Sequence, residues 1–248
     1  MSDTAEPVAL VTNGTYGLGA EIVRRLAAAG ARVAVGDKPR DPGDDRSPPA
    51  AASSTHYGLM SSPADCERVV KEVVDQHGRL DTVVCLALRR GLSVELPLER
   101  CDEGEWDRHL SAYLSGPFYL MRAALPQMLA QGHGRIVLVA PVEGGQGSTG
   151  QALMGVTSAG LVALGRRLAR EVADRGVTVN VVVAGLVGGS GWSLEDMPED
   201  IADQVRVSVP AGRLGERAEV AGAVAYLCSP EAGYVTGQVI AVDGGFGT

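Results

Sequence analysis

A chain of 248 residues, 45% of them hydrophobic and 21% charged, is long enough to bury one sizeable core and is too apolar to remain disordered. Its formal charge of −8 and aromatic content of 4% exclude a basic, base-stacking nucleic-acid surface. The opening MSDTAEP carries no charged-then-apolar leader, no membrane span is visible, and Cys66, Cys85, Cys101 and Cys228 lack C-x-x-C spacing, so a cytoplasmic chain with free thiols and no metal is expected.

Apolar, β-branched runs at Val8–Thr12, Arg32–Gly36, Thr82–Ala87, Gly134–Ala140, Val177–Val183 and Val239–Val242 predict strands. Helical patterns fall between them at Gly17–Ala29, Pro63–His77, Glu103–Gln131, Gln151–Arg175 and Ala218–Leu227. Alternation of continuous apolar strands with helices predicts one α/β domain, a doubly wound parallel sheet with helices on both faces. Its ligands belong beyond the carboxyl ends of the strands. Residues 38–54 carry Pro39, Pro42, Pro48 and Pro49, which forbid a helix of any length and predict an extended loop.

Three groups of residues carry more specific information. The first turn reads Thr12-Asn13-Gly14-Thr15-Tyr16-Gly17-Leu18-Gly19, and Asp37 closes the second strand. The stretch Gly134–Val187 reads strand, glycine-rich loop, long helix, strand, with Ser158-Ala159-Gly160, Leu168-Ala169-Arg170-Glu171 and Val179-Asn180-Val181 inside it. Near the end stand Gly212-Arg213-Leu214-Gly215, Tyr234-Val235-Thr236-Gly237 and Val242-Asp243-Gly244-Gly245. Together these resemble the short-chain dehydrogenase/reductase family, in its 3-oxoacyl-ACP-reductase-like form, over essentially the whole chain.

That resemblance implies a Rossmann-like fold and a nicotinamide cofactor. It implies Asn, Ser, Tyr and Lys as the catalytic set, where Tyr moves the proton at the carbonyl oxygen and Ser polarises it. Those positions are occupied here by Tyr113, Pro141, Met154 and Ser158. No shift of register supplies the missing groups, because no tyrosine lies between Tyr119 and Tyr226 and the lysines are Lys38 and Lys71 alone. At the cofactor, Asn13, Gly14, Gly17, Leu18 and Gly19 match the phosphate-binding turn, with Asn13 in place of a glycine. Asp37 is placed to bond a ribose hydroxyl and repel a 2′-phosphate, and Ala87 and Gly185 are retained. Leu59 replaces the adenine-binding Asp, and the carboxamide-binding Thr falls near Gly189, so tight cofactor binding is not expected, and NAD(H) is preferred to NADP(H) if either binds.

The leading expectation is therefore a non-catalytic scaffold, a subunit or ligand-binding partner of an active reductase. The alternatives are a non-redox enzyme reusing the cleft and an atypical NAD-dependent oxidoreductase. Tyr113 and Glu143 are the candidate acid or base groups, and a bulky filler is the plainer reading of Tyr113. Arg89 and Arg90 could meet an acidic substrate, and His109 is expected to be exposed or capping. Trp192 lies in a segment, 188–209, that the resemblance makes a substrate lid. The helices at 104–131 and 151–175 predict assembly, with a second copy or with an intact family member, because the span from Ala152 to Gly165 is apolar all round.

Overall fold

The computed structural model describes residues 6–39, 47–87, 96–142, 150–189 and 192–247. Its centre is a single sheet of seven parallel strands: β1 (Val8–Thr12), β2 (Arg32–Asp37), β3 (Ser54–Tyr57), β4 (Thr82–Leu86), β5 (Gly134–Pro141), β6 (Val177–Ala184) and β7 (Val239–Val242). They lie in the order β3-β2-β1-β4-β5-β6-β7. Every residue of β1, β4 and β6 is buried, which is why these strands are written mostly in apolar residues.

The helices are α1 (Gly17–Ala28), α2 (Pro63–His77), α3 (Glu103–Leu110), α4 (Gly116–Gln131), α5 (Ala152–Val172), α6 (Glu199–Ser208) and α7 (Arg217–Cys228). One face of the sheet packs on α2, α4 and α5 through Val69, Leu120, Leu161 and their neighbours. The other packs on α1 and α7 through Ile22, Leu26 and Val224. Strand order reverses between β1 and β4, which opens a crevice beyond their carboxyl ends, lined by Thr12, Asn13, Leu59 and Leu86.

Four features depart from the sequence expectation. The strand β3 was not expected. It forms the sheet edge, only His56 of its four residues is buried, and Ser-Thr-His-Tyr offers no apolar run to announce it. The helix expected over 103–131 is broken by a π-turn, Ser111–Ser115, between α3 and α4. Just beyond that turn Gly116 passes so close to the loop after β3 that a Cβ would lie 2.7 Å from the Met60 oxygen. The helix α6 lies within 188–209 and buries only Ala202, too little to show as a periodic stripe. The helix expected to reach Arg175 ends at Val172 and tightens to a 3₁₀ turn, Ala173–Arg175, closed by left-handed Gly176. Of the 38–54 loop, residues 40–46 lie outside the described residues, and the rest of it forms no helix.

Candidate functional site

The crevice is built from the β1–α1 turn upward. Asn13 adopts φ +52, the one non-glycine in the left-handed region among the described residues, and its side-chain amide donates to the Leu86 carbonyl at 2.9 Å. Asparagine takes this conformation more readily than most residues, so the turn keeps its shape without a glycine there. Gly19 has no freedom at all, since a Cβ would sit 2.1 Å from the Asn13 oxygen. Gly17 is left-handed at φ +56, and its Cβ position is open space. The helix α1 starts without a side-chain cap and without an acidic residue in its first turn. Its first amides are thus available to an anion at the positive end of the helix, and these residues fit a pyrophosphate.

Asp37 ends β2 at 3% exposure. One carboxylate oxygen accepts the Lys38 amide at 2.8 Å, and the other accepts the hydroxyl of Thr15. The carboxylate thus fastens the phosphate-binding turn to the end of β2. Leu59 is half exposed on the far wall, and its amide donates to Asp65 at 2.9 Å. Cys85 lies under the crevice, where burial pushes its thiol up to about 12, so it stays protonated and unreactive. Gly185 carries a packing role: a Cβ would lie 2.5 Å from Cα of Asp243 after β7. Ala87 follows β4, is buried, and donates its amide to the Val139 carbonyl at 3.0 Å.

The second half of the site lies where β5 ends. Ser158, buried on α5, donates its hydroxyl to the Pro141 carbonyl at 2.9 Å. Met154 lies one turn earlier on the helix and is half-buried against the larger core cluster. Tyr113 sits in the π-turn at 3% exposure, within the same cluster, and the π-turn packs on α5. Its ring centroid is 5.2 Å from that of His109. His109 is not exposed as expected but 1% exposed, and its Nδ1 has no hydrogen-bond partner among the described residues. Burial lowers its pKa against the opposing pull of Glu105, so the ring is held neutral. The fold therefore joins Pro141 and Ser158 at the β5–α5 junction with Met154 one helical turn away, and packs the π-turn that carries Tyr113, with His109 beside it, against α5.

Glu143, Arg89 and Arg90 lie outside the described residues. Trp192 faces Gly189 across a tight backbone pair and is 43% exposed. Among the described residues no His, Cys, Asp or Glu cluster could hold a metal, the four cysteines are free, and no helix is long and apolar enough to cross a membrane.

Residues 14–247 match the family model described as enoyl-(acyl carrier protein) reductase. With this sheet order and this phosphate-binding turn, the chain belongs to the short-chain dehydrogenase/reductase family. It is 36% identical to the 3-oxoacyl-[acyl-carrier-protein] reductase FabG of Escherichia coli K12 over 250 residues, covering 96% of each chain. It is 37% identical to the FabG of Vibrio cholerae and 35% to that of Staphylococcus aureus Mu50, again over 96% of each. The expectation of a non-catalytic scaffold is corrected by this finding. The relatives that match the chain over its whole length are named as reductases.

Proposed function

We propose that this chain is a nicotinamide-dependent carbonyl reductase acting on an acyl substrate of the 3-oxoacyl kind. The observation that carries the reading is the uncapped, glycine-lined start of α1 at the switch point of a chain similar to 3-oxoacyl reductases from end to end. When bound, the reduced nicotinamide supplies a hydride. The amides of Gly17, Leu18 and Gly19 would hold its pyrophosphate, and Ala87 and Gly185 would flank the nucleotide. The negative charge of Asp37 opposes a 2′-phosphate, so NAD(H) is taken in preference to NADP(H). Binding is weak, because Leu59 offers the adenine no carboxylate.

The proton comes from the chain. With methionine at 154, the phenol we assign as acid is Tyr113, held by the π-turn that packs on α5 beside neutral His109. Pro141 provides no hydroxyl to polarise the carbonyl, so turnover is slow; a single such donor is worth about 10²–10³-fold. The test is nicotinamide absorbance with purified protein, NADH or NADPH, and an acetoacetyl thioester. Enzyme-dependent oxidation of NADH, cut about 10²-fold by Tyr113→Phe, is the expected result. No turnover with either cofactor sinks the reading.

A cytoplasmic chain assembled through the 104–131 and 151–175 helices accompanies this proposal. Trp106, Phe118 and Val156 are exposed on those helices, beside exposed Ala159 and Ala163, a surface suited to a second copy or to another member of the family.

A further inference from the structure

At the opposite end of the sheet from the crevice, the edge strand β3 and helix α2 bring a serine, two histidines and a glutamate into one hydrogen-bonded chain. The Ser54 Oγ lies 3.0 Å from His56 Nε2 and 2.9 Å from His77 Nε2, and His56 Nδ1 lies 3.0 Å from Glu72 Oε2. One proton in this chain is placed by elimination. Arg68 bonds Glu72 at 2.7 Å and holds its carboxyl below the usual range, with a smaller contribution from His56, so Glu72 is ionised and can only accept. The Nδ1 of His56 therefore carries a hydrogen, and in the neutral ring Nε2 is left as an acceptor. In that tautomer the Ser54 hydroxyl donates to His56 Nε2, and its oxygen accepts from His77 Nε2. Burial, then the nearby Arg32, lowers the pKa of His77, so that ring is neutral.

We propose that Ser54 is a second reactive site of this protein, a nucleophile that accepts an acyl group from an activated ester or thioester. His56 is its base and Glu72 the positioning residue. A hydroxyl donating to an imidazole that is oriented by a carboxylate is the arrangement that makes serine nucleophilic. His56 is 8% exposed, so the base is shielded, while Ser54 is half-buried. Oγ attacks the carbonyl carbon; the new C–O bond forms as the bond to the leaving thiolate or aryloxide breaks. The hydroxyl proton passes to His56 Nε2 and from there to the leaving group, giving a serine ester and a free thiol or phenol. The site shares no residue with the crevice, so the reductase reading can fail without touching it.

The experiment is to incubate the intact protein with p-nitrophenyl acetate and measure its mass. One acetyl group located on Ser54 by peptide mapping supports the proposal, as does loss of that adduct in Ser54→Ala. The Glu72 side chain is 41% exposed, and thermal unfolding of each variant checks that it folds. Glu72→Gln should slow acetylation of Ser54 at least about tenfold. Glu72→Asp, which keeps a carboxylate, should retain more of the rate than the isosteric Gln; a merely structural role reverses that order. Absence of an adduct at Ser54 in the unaltered protein, or equal rates in Glu72→Gln and the parent, overturns the proposal.

Discussion

The hydroxyl of Ser158 donates to the carbonyl of Pro141, joining α5 to the end of β5 at the two positions where the family resemblance implies a lysine and a serine. The bond takes a short buried side chain and makes it structural. Ser158→Ala should lower stability by about 1 kcal/mol, the usual net worth of one hydrogen bond. Thermal unfolding reads this as a fall of about 2–4 °C in Tm for a chain of this size.

On the proposed function, the same junction limits the rate of reduction. Installing Pro141→Ser, Met154→Tyr and Ser158→Lys together should raise turnover of an acetoacetyl thioester by at least about 10²-fold, the ordinary contribution of a positioned general acid. A steady-state assay with NADH decides it; an unchanged rate means that the reacting carbonyl lies elsewhere in the crevice.

Gly19 offers the sharpest test of the phosphate-binding turn. A methyl group there would sit 2.1 Å from the Asn13 oxygen, which cannot move without breaking the turn. Gly19→Ala should destabilise by about 1–3 kcal/mol, as overpacking does, and weaken NADH binding at least tenfold by calorimetry. Asn13→Gly keeps the left-handed turn and should leave the affinity within about threefold.

Acid should loosen the start of α7. Glu219 caps that helix with Glu216 and pairs with Arg213 at 2.7 Å; the Arg213 bond, then the Glu216 amide, hold its pKa at about 2, below the usual carboxylate range. A folded-state pKa below the unfolded one gives stability that is complete above the unfolded value and disappears as pH falls through the folded one. The Tm difference between the parent and Glu219→Gln should therefore be constant above about pH 5, shrink below it, and vanish near pH 2.

The proposed assembly rests on exposed small residues of α5. Gly160 is not part of that surface, since a Cβ there would meet Leu114 of the π-turn at 3.1 Å, whereas Ala159 and Ala163 face outward. Ala159→Arg with Ala163→Arg should give monomers by light scattering, because both charges would enter a desolvated contact. A parent protein that is already monomeric rejects the interface.

The sheet was legible wherever a strand is buried on both faces, because β1, β4, β5 and β6 must then be written in Val, Ile, Leu and Ala. It was illegible at β3, where one buried histidine does the work of an apolar run. The phosphate-binding turn was legible because Gly17 and Gly19 mark backbone geometry. The partner of Asp37 was not, since nothing in the spacing of Thr15 shows that its hydroxyl turns toward β2. The burial of His109 was hidden for a related reason: it sits at the end of α3, directly before the π-turn, where helical periodicity fails. Function was misjudged from four positions, while the similarity that corrects it is spread over the whole length of the chain.

That π-turn also limits how the chain can change in length. Five residues, Ser111–Ser115, complete a turn that an ordinary helix would complete with about four. Removing any one of them would let α3 and α4 join as one regular helix, and everything before the deletion would swing by about 100° about the axis. His109 and Tyr113 would part, and half-exposed Trp106 would point to a different side of the helix. Substitutions in this segment should be tolerated far better than the loss of a single residue, so a scan of one-residue deletions along residues 103–131 should find its sharpest loss of folding there.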